Sequence, residues 1–432
     1  VAKRHQIRAG NWESIVGRLQ ELVLANSGED EFQEIFKILV AKLYSEKFAG
    51  RAPEFQPLTP PTETANLIND LLARASSRWP GIIDDHARSR LTDDHLSICA
   101  EAIASHSLCD TNLEVLDSFF EFLVSRAIKG SKGQFFTPRQ VVECCVKIMN
   151  PTPSEVVLDP ACGSGGFLMH VLNHNADRLP DSRQEYCSKH LWGCDFDKRA
   201  IQIAKALMLV ASDGNANLHQ LNSLAKASSS DLLSFTDDST PRLTIEDLLR
   251  TKARKFRGFD VILTNPPFAG EIREQSVLDS YQVAKRNRRT ERDALFLERC
   301  VELLRPGGRL GIVLPHNKFG SASWSYLREW LAQHLKIVVV LGLDRRAFLP
   351  HTHQKTSVLF GIKREKPARQ PDREPILFVL SESSGKDSAG RVQPRPGARP
   401  EQSAWLRADH DFESVLDQVR SFTHTYDVGW SV

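Results

Sequence analysis

The stretch Asp159-Pro160-Ala161-Cys162-Gly163-Ser164-Gly165-Gly166-Phe167 decides how this chain of 432 residues reads. It follows the apolar run Val156–Leu158 and leads into a helical pattern, so it is a strand–loop–helix junction. Glycines remove side chains where the backbone must pass close to a ligand, and they tolerate positive φ. A helix starting there offers unpaired N–H groups to a polar ligand. A dinucleotide loop would read Gly-x-Gly-x-x-Gly, with an acid about 20 residues on. Here the order is Asp-Pro-x-x-Gly-x-Gly-Gly, and the next strand-end acid, Asp195, lies further away. That favours an adenosyl–amino acid cofactor such as S-adenosylmethionine. Asp159 is placed for its ammonium group and Asp195 for both ribose hydroxyls. Asp197 suits the capping of the following helix better than Asp195 does. Asn222 is placed to end a third strand and reach the adenine edge, with an ordinary turn asparagine as the alternative.

Outward from this loop, residues 129–364 alternate short apolar strands with amphipathic helices. The strands expected are Val156–Leu158, Leu191–Cys194, Val261–Leu263, Arg309–Leu314, Ile337–Leu341 and Ser357–Ile362, with helices such as Ala200–Val210 and Ala294–Leu304 between them. Such alternation implies an α/β fold, a mainly parallel sheet covered on both faces, with ligands at the carboxyl ends of its strands. Residues 1–128 read as a separate helical domain for assembly or DNA docking, in which Ile15, Leu19, Leu22 and Val23 share one face and Ile35, Leu39 and Leu43 another. Residues 365–432 read as a strand over Pro375–Val379, a Gly/Ser/Pro/Arg-rich loop or linker over 384–403, and a short helix, Phe412–Phe422.

A second motif, Asn265-Pro266-Pro267-Phe268, follows the run Val261-Ile262-Leu263. Consecutive prolines fix the backbone and supply no N–H donors. Carbonyl oxygens, with the Asn265 amide oxygen, are then free to converge as acceptors on an –NH2 group. Accepting both of its protons pushes the nitrogen toward sp3 character and exposes a lone pair to a methyl sulfonium, which is catalysis by positioning and electrostatics. Phe268 is placed to stack on the ring bearing the amine, an interaction worth roughly 1–3 kcal/mol. The plain alternative is a proline turn after a core strand with Phe268 buried. Together, the two motifs point to methyl transfer onto an exocyclic amine.

Composition excludes other classes. Net charge is only +2, so the chain is not a uniformly basic nucleic-acid binder, but the local run Lys285-Arg286-Asn287-Arg288-Arg289 offers Lys285, Arg286, Arg288 and Arg289 as phosphate contacts. The eight cysteines lack metal-ligand or disulfide spacing, which fits a reducing cytoplasm with no metal site. No apolar run approaches the roughly 18–20 residues that span a bilayer. Cys162 sits inside the cofactor loop and reads as a small packing residue, not as a C5-cytosine nucleophile.

These residues resemble the N6-adenine DNA methylase family, specifically the modification subunits of type I restriction–modification systems. Gly133-Gln134-Phe135-Phe136-Thr137-Pro138 resembles the family segment that closes over the methionine end of the cofactor, which implies Gln134, Phe136 and Thr137 as cofactor contacts beside Asp159, Ala161, Gly163, Ser164, Gly165, Asp195 and Asn222. Gly193-Cys194-Asp195, Asn265–Phe268 and Pro306-Gly307-Gly308 follow in the family's order. Phe348-Leu349-Pro350-His351-Thr352-His353-Gln354-Lys355-Thr356-Ser357 resembles a late motif whose aromatic packs on the extruded base, so Phe348 joins Phe268 as a stacking candidate. Gly385-Lys386-Asp387-Ser388-Ala389-Gly390-Arg391 resembles a segment found after the catalytic domain. The family's pattern often carries an acid where Asn222 stands.

The resemblance implies a Rossmann-like S-adenosylmethionine-dependent methyltransferase fold with an N-terminal α-helical domain. It also implies site-specific methylation of adenine N6, with Asn265, Pro266, Pro267 and Phe268 catalytic and the target base flipped out of double-stranded DNA. The chain leaves no room after the catalytic domain for substantial target recognition, which implies a separate specificity subunit and an associated restriction subunit. Methylation of cytosine N4, of RNA or of a protein glutamine, or a non-catalytic scaffold on the same fold, are the rival readings.

Overall fold

The computed structural model describes residues 5–6, 12–48, 54–127, 136–179, 182–212, 216–226, 244–252, 256–268, 270–284, 289–369, 374–399, 402–430 and 432. They divide into two compact units. The first is Val1–Gly130 with Gln202–Asn215 and Arg399–Ser403, and the second is Ser131–Ile201, Ala216–Ala398 and Ala404–Val432.

The first unit is built on helices Trp12–Ser27, Glu31–Phe48, Pro61–Arg78, Asp93–Ala104 and Leu113–Ala127. The expected apolar faces are its core: Ile15, Leu19, Ile35, Leu39 and Leu43 are all buried, while the side chains of Leu22 and Val23 fall outside the described residues. Within it Lys42 and Glu46, one helical turn apart, form an ion pair at 2.9 Å. Glu46 also accepts the backbone N–H groups of Leu108 and Cys109, so this buried carboxylate is fully engaged.

The second unit is an eight-stranded sheet. Its strands are β1 (Val157–Asp159), β2 (Leu191–Asp195), β3 (Asn217–Gln220), β4 (Phe259–Thr264), β5 (Leu304–Pro315), β6 (Leu335–Gly342), β7 (Thr356–Lys363) and β8 (Leu377–Leu380). Their order across the sheet is β8-β6-β7-β5-β4-β1-β2-β3. Only β7 runs against the others, antiparallel to both β6 and β5. Continuous apolar runs such as Val261-Ile262-Leu263, each residue fully buried, are what a parallel strand covered on both faces requires. The chain moves from β1 outward through β2 to β3, then returns to the other side of β1 with β4. The β1/β4 boundary is therefore the topological switch point, where an open α/β sheet leaves a crevice at the carboxyl ends of its strands.

Helix Arg292–Leu303 departs from a simple amphipathic reading. Three of its charged residues, Asp293, Glu298 and Arg299, are buried, and the helix stops at Leu303 because Leu304 already pairs with Phe259 in the sheet. Strand β5 thus starts before Pro306-Gly307-Gly308. Residues 384–398 contain only isolated bridges, Ser384 to His410, Lys386 to Val392 and Pro394 to Ala408, yet they fold against the rest of the unit. Among the described residues no helix is long and apolar enough to cross a membrane.

Candidate active site

The cofactor loop grows directly from the end of β1. Asp159 is all but removed from water. Its Oδ1 accepts the Ala161 N–H at 3.0 Å and the Thr264 hydroxyl at 2.6 Å, and burial pushes its pKa up to about 7. Gly163 and Gly165 take φ of +53° and +89°, values that only glycine adopts without strain. Around Gly163 there is open space where a side chain would stand. Gly165 caps helix Gly166–Asn175 and brings no side chain to cap it.

Asp195, at the end of β2, is bound on both oxygens. Oδ2 accepts the Gly163 N–H and Oδ1 the Asp197 N–H, each at 2.9 Å. A carboxylate has lone pairs beyond these two, and burial raises its pKa to about 6. Capping falls to Asp197, whose Oδ1 accepts the Arg199 and Ala200 N–H groups. Strand β3 ends at Gln220, two residues short of Asn222, and the Asn222 side-chain oxygen accepts the Leu224 N–H at 3.1 Å. That is the turn geometry of an asparagine. Phe196, beside Asp195, was missed by sequence reasoning although its ring is 56% exposed.

The amine clamp follows β4, the neighbour of β1. The Thr264 hydroxyl on Asp159 ties the residue before Asn265 to the cofactor loop. Phe268 and Phe348 meet edge to face, ring centroids 5.8 Å apart and planes at 67°, with 6% and 1% exposed. The two rings therefore cover one another. The chain beyond the clamp is pinned: Arg292 N–H bonds to Gly270 O, and Glu271–Ile272 pairs with Thr290–Glu291. Buried Lys318 lies 2.5 Å from the Glu291 carboxylate, 3.1 Å from Asp293 and over the Trp324 ring.

Two further groups escaped sequence reasoning. Arg299 donates to Ser223 O and Ala225 O and makes a two-pronged pair with Glu246 at 2.6 and 2.8 Å. It thereby fixes the turn that carries Asn222. Ser223 in turn donates to Pro160 O at 2.5 Å. Cys162 is buried, and burial drives its thiol pKa well above the usual value, which fits packing rather than nucleophilic chemistry. Phe136 and Thr137 stand half-buried before helix Arg139–Met149. Gln134, Lys285, Arg286 and Arg288 lie outside the described residues. Arg289 is exposed, 3.6 Å from Glu271.

With this geometry in place, comparison with known proteins is decisive. The profile of the N-6 DNA Methylase family matches residues 112–394, well over half of the chain and all of the site. The chain belongs to that family. Among curated relatives, the methylase subunit of the type I restriction enzyme EcoEI of Escherichia coli is 25% identical over 282 residues, 64% of this chain and 51% of that protein. The EcoKI methylase subunit of E. coli K12 is 28% identical over 237 residues, 54% of this chain and 41% of that protein. The matches thus span about half of these relatives or less. The fold matches a modification subunit of a putative type I restriction enzyme from Vibrio vulnificus, with a TM-score of 0.62 at 19% identity, covering 96% of this chain and 90% of that one. It also matches a type I methyltransferase subunit from Streptococcus thermophilus, with a TM-score of 0.58 at 14% identity, covering 96% and 94%. The Rossmann-like methyltransferase architecture expected from the sequence is therefore the one observed.

Proposed function

We propose that this member of the N-6 DNA Methylase family transfers a methyl group from S-adenosylmethionine to adenine N6 of double-stranded DNA, as the modification subunit of a restriction–modification system. One observation carries the reading. The Asp159 loop and the Asn265–Phe268 clamp leave adjacent strands at the switch point, joined by the Thr264–Asp159 hydrogen bond.

The residues present fit the cofactor. Asp159 has no cationic side-chain partner among the described residues and is suited to an ammonium group. Asp195 is suited to a ribose diol, the open face of Gly163 to close passage of the ligand, the uncapped helix start to a carboxylate, and Phe196 to a planar ring. When bound, S-adenosylmethionine supplies an electrophilic methyl group. The chain does the rest by placement. The Asn265 amide oxygen and the carbonyl oxygens of the proline pair accept hydrogen bonds from the amine's two N–H groups, so the nitrogen lone pair turns toward the methyl group. Phe268 fixes the plane of the base. Asn265 removes no proton; the nitrogen, once methylated and positively charged, loses one N–H proton to water.

The relatives' naming as subunits supports a separate specificity subunit and an associated restriction subunit, with the helices of the first unit serving assembly or DNA docking. The test is transfer from labelled S-adenosylmethionine to methylation-free bacterial DNA, followed by nucleoside analysis. N6-methyladenine is the expected product. Label on N4-methylcytosine, RNA or protein would overturn the substrate; cofactor binding without transfer to any of these, even with copurifying subunits present, would favour a scaffold.

A further inference from the structure

Segment 384–391 has no part in the chemistry above, yet it bonds to both halves of the site. The Lys386 Nζ donates to the carbonyl oxygen of Leu349, the residue after Phe348, at 2.6 Å. Gly390 takes φ +80° and packs so closely on the same turn that a Cβ there would stand 2.5 Å from Pro350 N and 2.6 Å from the Leu349 carbonyl carbon. Ser384 Oγ lies 3.3 Å from Asp344, whose carboxylate also holds Arg346 at the start of the Phe348 turn. On its other side, the Ser384 carbonyl accepts from the buried Gln140 Nε2 at 2.7 Å. Gln140 belongs to the first turn of the helix that follows Phe136-Thr137-Pro138.

Lys386 forms no ion pair with a carboxylate among the described residues, and burial lowers its pKa to about 8. Dehydrating an ammonium group for one neutral carbonyl gains little stability; an apolar side chain would fill the space without that penalty. What the bond does supply is a fixed position for Leu349, because a charge-assisted hydrogen bond is short and directional. Leu349 is covalently next to the ring that meets Phe268.

We infer that Lys386 is a positioning residue for methyl transfer. Through the Leu349 carbonyl it sets the Phe348 ring against Phe268, and the 384–391 segment latches that turn to the helix behind the cofactor-closing segment. This rests on the reading of Phe268 and Phe348 as the aromatics that receive the extruded base.

The experiment compares wild type, Lys386→Met, Lys386→Arg, Gly390→Ala and Phe348→Ala, each purified with its copurifying subunits. Amide exchange is followed at His351 and Thr352, whose N–H groups bond to the Phe348 carbonyl at 3.0 and 3.1 Å. Turnover and cofactor affinity are measured in parallel. Lys386→Met is expected to speed that exchange about tenfold and to lower kcat about tenfold, with cofactor affinity within about twofold. Lys386→Arg should recover most of both losses, since a guanidinium also donates to a carbonyl. Gly390→Ala keeps the ammonium but pushes on the same turn, so it should reproduce the Lys386→Met pattern and serves where Lys386→Met does not fold. Wild-type exchange and turnover in both Lys386→Met and Gly390→Ala, beside an impaired Phe348→Ala, overturn the latch alone. Full turnover in Phe348→Ala overturns the base-stacking reading and the latch with it.

Discussion

Arg299 and Asp159 are equally removed from water, each about 1% exposed, and they are completed in opposite ways. Arg299 finds everything it needs inside the chain: two carbonyls and both oxygens of Glu246. Asp159 has two neutral donors on one oxygen and no cation among the described residues, and burial holds its pKa at about 7. A buried charge that the protein itself completes is part of a wall. A buried charge left short of a counter-ion weakens the fold and marks where a ligand's opposite charge belongs. The contrast separates the site's scaffolding from its seat.

The largest effect that sharpens this contrast should come from the completed side. Arg299→Met leaves Glu246 and the carbonyls of Ser223 and Ala225 without their donor; breaking one partner of a fully buried pair costs about 3–5 kcal/mol, an upper bound here because the Glu246 side chain is 32% exposed. Urea unfolding should show that loss, with a smaller loss of cofactor affinity through the turn carrying Asn222. An unchanged midpoint would show that Arg299 is not wall at all. Next comes Asn265→Ala, on the ligand side. Turnover should fall about 10²–10³-fold, the usual loss when one positioned polar group is removed from the reacting atoms, while thermal stability and cofactor binding stay close to wild type. Undiminished turnover would remove Asn265 from the mechanism.

A smaller effect, with two signs in one variant, is expected for Asp159→Asn. The amide oxygen still accepts from Ala161 and Thr264, but the charge is gone. Cofactor affinity should drop about 10–100-fold, the worth of a hydrogen bond to a charged partner. Stability should rise. A carboxyl with a pKa near 7 when folded and 3.8 when unfolded binds more protons in the folded state between those values, so its ionisation weakens the fold progressively as pH rises through that window. The gain from Asp159→Asn is therefore expected in full at pH 8, at most about 4 kcal/mol, and should vanish near pH 4. A loss of stability at pH 8 would mean that Asp159 is completed by the protein after all.

The same contrast explains what sequence could and could not reveal. Asp159, the loop glycines and Asn265-Pro266-Pro267-Phe268 are legible because close passage of the backbone past a ligand demands unusual residues at fixed local spacing. The sheet is legible because buried parallel strands must be apolar throughout. Arg299 was hidden in a helix where a charge ordinarily faces water, and its partner Glu246 lies 53 residues away. The partner of Lys386 was hidden although its segment resembles one of the family, since the bond to Leu349 joins residues 37 apart. Nor could sequence show that Phe348 would pack its ring against Phe268, because one phenylalanine looks the same in a core and in a pocket. Local chemistry leaves a signature in composition; partnership between distant residues does not.

The smallest effect is a pH dependence that divides the cofactor side itself. An ammonium group pairs with Asp159 only while the carboxyl is ionised and the amine protonated, so cofactor affinity should be highest between about pH 7 and the α-amino pKa of about 8, and fall below pH 7, approaching tenfold per pH unit. Asp195, held at about 6 by burial, adds a second proton lower down, because a ribose diol donates better to a carboxylate than to a carboxylic acid. The slope should therefore steepen below pH 6. Titration calorimetry of S-adenosylmethionine binding between pH 5.5 and 8.5 reads both steps. In Asp159→Asn the step near 7 should disappear and the one near 6 remain. In Asp195→Asn the upper step should survive and move slightly downward, because the charge on Asp195 contributes to holding the Asp159 pKa up. A wild-type affinity that is flat across this range would mean that neither carboxyl changes its charge state on meeting the ligand, and the distinction between a completed wall and an incomplete seat would lose its physical basis.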